Sequence, residues 1–284
     1  MGAQRVLSIF EHILTLACIS TDHPQFLSFI PSVPSRAAVA FDLVVSASAL
    51  YGGSWLEGAS VVHAENEVLT WLGAEFGLPA GSGGVFVHGG KIDNLSALVA
   101  ARDQARPRRS THYPKHGPWA VICSSEAHSS IASAAPVMDI DVISIDRDFD
   151  GVLRADAVRA ELDAEGHQVI AVVAITGSTN FGVIDDVAGI AELKADHDFW
   201  LHFDGAYGLS AMLSPAARPL FAGVGDADSL IVDPPQVALR PRTMPAHSST
   251  VTRRPDAGHT PSTRSTSTPS LRPSNGVPRT TRPS

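Results

Sequence analysis

Five short polar segments, each lying just beyond an apolar run, hold the side chains best suited to chemistry. In Trp200-Leu201-His202-Phe203-Asp204-Gly205-Ala206-Tyr207-Gly208 a carboxylate ends a strand-like run and small residues follow it. Such an Asp can hold a protonated ring nitrogen of a cofactor, cap a helix, or join His202 as a metal ligand, because strand positions two apart point the same way. In Ser124-Ser125-Glu126-Ala127-His128-Ser129-Ser130 the imidazole of His128 can serve as general base, metal ligand or flat stacking ring, or simply sit in a surface loop. The pair Gly89-Gly90, between Val85-Phe86-Val87-His88 and Lys91-Ile92-Asp93-Asn94, lets backbone N–H groups approach an anion at a helix start. Hydroxyls in Thr176-Gly177-Ser178-Thr179-Asn180 suit ligand contacts and suit a bland turn equally. The fifth segment is Ala227-Asp228-Ser229-Leu230-Ile231-Val232-Asp233-Pro234-Pro235-Gln236.

Several other chemistries fail on the residues themselves. A phosphate loop of the G-x-x-x-x-G-K-[ST] kind needs Gly where Val85 stands and Ser or Thr where Ile92 stands. The dinucleotide pattern G-x-G-x-x-G does not occur in the glycine loop. His88-Gly89-Gly90 is similar to an esterase oxyanion loop, but no G-x-S-x-G nucleophile elbow accompanies it.

These segments need a scaffold, and the periodicity supplies one. Val68, Leu69, Leu72 and Phe76 recur at helical spacing and stop at Gly77-Leu78-Pro79, a helix ended by Gly then Pro. Beyond it, strand runs at 85–87, 120–123, 142–145, 169–175 and 200–203 alternate with helical patterns at 94–106, 129–135, 155–165 and 187–197. That alternation predicts an α/β fold with a mainly parallel sheet and helices on both faces. Ligands in such sheets gather beyond the carboxyl ends of the strands, where all five segments fall.

Composition divides the chain near residue 239. The net charge of −8 splits into −15 for residues 1–239 and +7 for residues 240–284. In that last stretch Arg, Pro, Ser and Thr supply 33 of 45 residues and no aromatic occurs. Too little apolar surface is present to offset the entropy of ordering, so 240–284 is expected to be disordered. The expected organisation is an N-terminal helical segment over 1–58, a large domain over 59–239, and this tail. An acidic body argues against nucleic acid as a partner. The apolar run Val6–Cys18, broken by Glu11 and His12, is shorter than the ~18 residues of a membrane span and predicts an amphipathic helix. With Cys18 and Cys123 far apart, free thiols and a cytoplasmic location are expected.

Taken in order, the five segments resemble the pyridoxal-phosphate-dependent group II amino-acid decarboxylases, the family of the aromatic-amino-acid, glutamate and tyrosine enzymes. The resemblance rests on Gly-Gly before a helix, Ala127-His128-Ser129-Ser130, Gly177-Ser178-Thr179, His202-Phe203-Asp204-Gly205-Ala206-Tyr207-Gly208 and Ala227-Asp228-Ser229-Leu230-Ile231-Val232-Asp233-Pro234. It implies the large domain of aminotransferase-like enzymes (fold type I), with the C-terminal small domain missing. It further implies pyridoxal 5'-phosphate as cofactor, an amino acid as substrate, aromatic by preference, and a homodimer. By the same resemblance His128 stacks on the pyridine ring, Asp204 pairs with its protonated nitrogen and Ala206 packs nearby. Gly89, Gly90, Lys91 and Ser229 surround the phosphate, and Ser178 lies near the cofactor.

The chain departs from the family at three points. Lys91 and His88 stand where the family has Ser or Thr and Ser, so a mobile point charge replaces hydroxyl donors. The family continues Asp-Pro-His-Lys-Trp, whereas this chain reads Asp233-Pro234-Pro235-Gln236-Val237. Gln236 therefore occupies the place of the Schiff-base lysine, and a carboxamide nitrogen is not nucleophilic enough to replace a primary amine. A one-base insertion near the codons of Pro234 and Pro235 is the hypothesis that accounts for this: read one base over, degenerate codons for residues 235–241 permit His-Lys-Trp-Leu-Phe-Ala-Pro. The same shift in GC-rich DNA would enrich Arg, Pro, Ser and Thr; an unshifted frame encoding Gln236 in several isolates would defeat it. On this reading the chain as written is inactive. The alternatives are a non-catalytic cofactor-binding or dimerising remnant, and a metal-dependent hydrolase built on His128, His202 and Asp204.

Overall fold

The computed structural model describes residues 2–19, 23, 25, 35–111, 118–233 and 247–252. The helix expected at the N-terminus begins as α1 (Ala3–Ile9), passes through a π-helical turn (Phe10–Leu14) and ends in a 3₁₀ turn (Thr15–Ala17), with no residue of the three buried. Helix α2 (Arg36–Ser48) is capped by Ser35, whose hydroxyl accepts from the Ala38 N–H, and it too buries nothing. Helix α3 (Trp55–Glu75) departs from helical geometry at Gly58, at the limit drawn between the N-terminal segment and the large domain. Beyond that point it buries Leu69, Leu72 and Gly73.

Strand and helix then alternate as the periodicity predicts. The order is β1 (Gly83–His88), α4 (Gly90–Thr111), β2 (Trp119–Ser124), α5 (Ser129–Met138), β3 (Asp141–Ile145), α6 (Ala155–Asp163), β4 (Gln168–Ile175), α7 (Val187–Glu192), β5 (Trp200–Gly205) and β6 (Ser229–Val232). A last strand, β7, is formed by His247–Thr252. The seven strands form one sheet ordered β1-β7-β6-β5-β4-β2-β3. The pairs β2–β3, β2–β4, β4–β5 and β5–β6 are parallel, and β7 lies antiparallel between β1 and β6.

Strand β7 corrects part of the composition argument, which expected disorder throughout 240–284. Residues 247–252 contain Thr250, Val251 and Thr252, no Pro and no Gly, and so combine β propensity with a free N–H at every position. The two flanking strands offer ladders on both sides, with Gly83 and Ser229 both registered opposite Thr252. Cross-strand pairing thus outweighs the polar composition locally. The rest of that stretch lies outside the described residues, as do Pro235 and Gln236.

The alternation of side chains across the sheet decides where the site can form. Ile122, Val172, Ala174, Leu201, Phe203 and Leu230 face one way and pack with Leu69, Leu72 and Phe76 of α3. Their neighbours Val121, Cys123, Ala171, Val173 and Trp200 face the other way, against Leu98 and Ala101 of α4 and Ile131 and Ala134 of α5. Burying each large aliphatic side chain contributes about 1.5–3 kcal/mol, so these two layers fix the strand register firmly. By that parity, His202 and Asp204 share the face of Trp200 and point toward α4 and α5.

Candidate functional site

A cavity of about 350 Å³ opens beyond the carboxyl ends of β4 and β5, walled by the starts of α4 and α5. Of the residues singled out from the sequence, Gly89, Gly90, Lys91, His128, Ser178, Asp204 and Ala206 all line it. Segments far apart in sequence meet there because each follows a strand of one sheet. Glycine is required at Gly89, where φ is +85° and the chain turns from β1 into α4. The Gly89 carbonyl accepts from the Ile92 N–H at 3.0 Å and so starts the helix, which leaves the first N–H groups of α4 beside Lys91 at one end of the cavity.

Asp204 comes from the carboxyl end of β5. It is buried at 8 % exposure, and each carboxylate oxygen is held: Oδ2 accepts from Asn94 Nδ2 at 3.0 Å, Oδ1 from the Ala206 N–H at 3.4 Å. The loop after β4 closes beside it, with the Thr176 N–H donating to the Asp204 carbonyl at 2.9 Å. Ser178 is held within its own turn, where Oγ accepts from the Val183 N–H at 3.2 Å. His128 caps α5, its Nδ1 accepting the Ser130 N–H at 3.2 Å, so its ring is fixed in the wall.

Two residues fall elsewhere than the sequence suggested. Ser229, expected at the phosphate, is fully buried behind Asp204, where its Oγ accepts from Trp200 Nε1 at 2.7 Å and meets His202 Nδ1 at 2.8 Å. The reason is register: β6 begins with Ser229 opposite His202, three residues before the end of either strand, on the covered α4 face. His202 is fully buried as well, with Nε2 bonded to Asn94 Oδ1 at 2.9 Å. Both its ring nitrogens are thereby engaged, so it does not meet Asp204 and His128 around a common centre; among the described residues no three His, Cys, Asp or Glu side chains could hold a metal ion. Burial pushes the His202 imidazole down to about 4, against the upward pull of the Asp204 charge.

Thr179, one of the loop hydroxyls, lines the cavity too, as do Asn94, Glu126 and Tyr207, to which the sequence pattern assigned no role. Asn94 could have been found, because it lies four residues after Gly90 and thus on the same face of the helix that the glycine loop begins. Glu126 is paired with Arg147 at 3.3 Å, a contact between the loops after β2 and β3 that no local pattern announces.

Together these features define the large cofactor-binding domain of an aminotransferase-like, pyridoxal-phosphate-dependent enzyme. The chain belongs to the pyridoxal-dependent decarboxylases: the family profile described as "Pyridoxal-dependent decarboxylase conserved domain" matches residues 2–242. It is 31 % identical over 226 residues to an aromatic-L-amino-acid decarboxylase of Bacillus atrophaeus, covering 78 % of this chain and 46 % of that one. To an L-2,4-diaminobutyrate decarboxylase of Rhizobium meliloti (strain 1021) it is 32 % identical over 225 residues, 77 % of this chain and 44 % of the relative. The structure of Oryza sativa TDC with PLP and tryptamine superposes with a TM-score of 0.81 at 26 % identity, over 89 % of this chain and 54 % of that one. The chain thus spans about half the length of the curated relatives it matches. No helix among the described residues is long and apolar enough to cross a membrane.

The cofactor of this family is pyridoxal 5'-phosphate, and the residues present fit it. An acceptor carboxylate suits a protonated pyridine nitrogen. The α4 start with Lys91 suits a phosphate. The ring of His128 and the small side chain of Ala206 line the same cavity, with Ala206 Cβ 3.8 Å from where a Cβ on Gly90 would lie.

Proposed function

We propose that this chain holds pyridoxal 5'-phosphate without a covalent bond, as the cofactor-binding half of an amino-acid decarboxylase, and does not itself complete the reaction. The observation that carries this reading is the buried Asp204, held through both carboxylate oxygens, in the same cavity as the Gly89-Gly90-Lys91 loop. Bound there, the cofactor supplies an electron sink for the bond to a departing carboxylate. Asp204 keeps a proton on the ring nitrogen, and Lys91 with the α4 N–H groups balances the phosphate charge. His128 covers one ring face, and Ser178 and Ala206 bound the space beside it. Gln236 in place of the lysine leaves no amine at the position that would anchor the aldehyde. A frame shift near Pro234 remains the origin proposed for that replacement.

Aromatic amino acids are the substrate class proposed for the intact family member, supported by the identity to the Bacillus atrophaeus enzyme. A homodimer belongs to the same reading. Its support is the apolar surface left open on the N-terminal helices, where Phe10, Ile13, Leu16, Phe41 and Leu43 are each more than half exposed.

Absorbance titration of the purified 284-residue chain with pyridoxal phosphate tests the central part. Saturable binding, weakened about 10-fold or more in D204A, is the expected result, since charged hydrogen bonds contribute roughly 1.5–3 kcal/mol. Equal affinity in D204A would refute the assignment. Sedimentation of the chain beside an F10D/F41D variant tests the dimer: a shift to monomer is expected, and a monomeric unmodified chain would contradict it.

A further inference from the structure

Behind the cavity floor, one hydrogen-bonded chain runs from the protein core to both residues that face the cofactor space. Trp200 Nε1 donates to Ser229 Oγ at 2.7 Å, and Ser229 Oγ meets His202 Nδ1 at 2.8 Å. His202 Nε2 lies 2.9 Å from Asn94 Oδ1. Asn94 Nδ2 then donates twice, to Asp204 Oδ2 at 3.0 Å and to Ser130 Oγ at 2.8 Å. Ser130 Oγ lies 2.8 Å from His128 Nδ1.

The direction of every bond follows from groups that have no choice. An ionised Asp204 only accepts, so the amide nitrogen of Asn94 must face it and the amide oxygen must face His202. That oxygen needs a donor, which places the proton of His202 on Nε2. A neutral imidazole then accepts at Nδ1, and the Ser229 hydroxyl donates to it while receiving the indole N–H of Trp200, which only donates. On the other branch the Asn94 amide fills one lone pair of Ser130 Oγ, freeing that hydroxyl to donate to His128 Nδ1. The Ser130 backbone N–H also points at Nδ1, at 3.2 Å, so the proton of His128 is on Nε2. No donor faces a donor anywhere along the chain. Turning the Asn94 amide over would set its oxygen against the Asp204 carboxylate, which has no proton to offer it.

We infer that Asn94, Ser130, His202, Ser229 and Trp200 form a buried donor chain that fixes the Asp204 carboxylate in place and holds both His202 and His128 in the Nε2–H tautomer. His202 is thus a positioning residue for the ring nitrogen of the cofactor. Asn94, Ser130, His202 and Ser229 are all at or below 2 % exposure, so water does not compete for the chain. The polarity stands on the protein alone; its bearing on the cofactor rests on the reading in the previous subsection.

Side-chain nitrogen NMR of the full chain, labelled with [15N]histidine and free of cofactor, reads the tautomers near neutral pH. His202 and His128 should both appear as Nε2–H. An Nδ1–H tautomer at either residue, or a charged His202, would overturn the chain as drawn. Titration with pyridoxal phosphate labelled at its ring nitrogen then compares H202F with the unmodified protein. His202 does not itself line the cavity, so H202F removes no direct contact with the cofactor. Binding about 10-fold weaker, with the ring nitrogen less protonated, is expected from loosening one charge-assisted hydrogen bond. Unchanged affinity and protonation in H202F would remove the positioning role. Failure of the unmodified chain to bind the cofactor would overturn the cofactor reading, while the tautomers would still decide the chain.

Discussion

Replacing Gly177 by Ala should be far more damaging than the same replacement at Gly166, although the two glycines have nearly the same backbone conformation. Their φ values are +118° and +120°, a region that an L side chain rarely adopts and that costs about 1–2 kcal/mol by itself. At Gly166 a Cβ would meet nothing within 4 Å, so G166A should cost only that backbone share. At Gly177 a Cβ would lie 2.7 Å from Gly208 Cα and 2.9 Å from Gly208 N. Neither atom can swing aside, because a Cβ on Gly208 would itself lie 2.1 Å from the Thr176 carbonyl oxygen; the two loops touch backbone to backbone. Forcing them apart adds about 1–3 kcal/mol, so G177A should lose about 2–5 kcal/mol in total. Urea unfolding of both variants gives the comparison. Because Gly177 and Tyr207 also line the cavity, cofactor affinity should fall in G177A and hold in G166A. Equal stabilities for the two variants would refute the close-approach argument and leave only backbone conformation.

Two further outcomes follow from buried titratable groups. Asp185 accepts from the Leu153 N–H at 3.0 Å and the Ile175 N–H at 2.7 Å, yet burial pushes its carboxyl up to about 6, with the Asp186 charge adding to the rise. The folded chain therefore takes up a proton that the unfolded chain releases near the ordinary value of 3.8, so stability from this group is highest at low pH and is lost as pH rises through about 6. Unfolding curves should show a loss of up to about 3 kcal/mol across that window in the unmodified protein and a flatter profile in D185N, with identical profiles counting against the assignment. Cys18 is exposed, whereas burial and then the Asp185 charge push the Cys123 thiol up to about 12. One thiol should react promptly with an aromatic disulfide in the native protein and the second only in denaturant; prompt reaction of both would contradict the burial of Cys123.

The sheet was legible because β2, β4 and β5 are short apolar runs between helical patterns, a contrast that needs no tertiary knowledge. Asp204 and His128 were legible too, since each is a polar residue directly after such a run. Ser229 was not, because a serine on a strand looks the same in sequence whether it faces a ligand or a buried histidine. Only the pairing of β6 with β5 sets it opposite His202. The partners of Asn94 were not legible for a related reason: Asp204 and Ser130 come from two other elements, 110 and 36 residues away. Strand β7 was masked by average composition, which blurs six strand-forming residues into a polar surround.

The missing amine is tested most directly by mass. The intact chain would be incubated with pyridoxal phosphate, reduced with borohydride and weighed, alongside a Gln236→Lys variant. The unmodified chain should keep its mass after dialysis although it binds the cofactor reversibly, whereas Q236K should gain one reduced cofactor on Lys at that position. A stable adduct on the unmodified chain, located at any lysine, would contradict noncovalent holding.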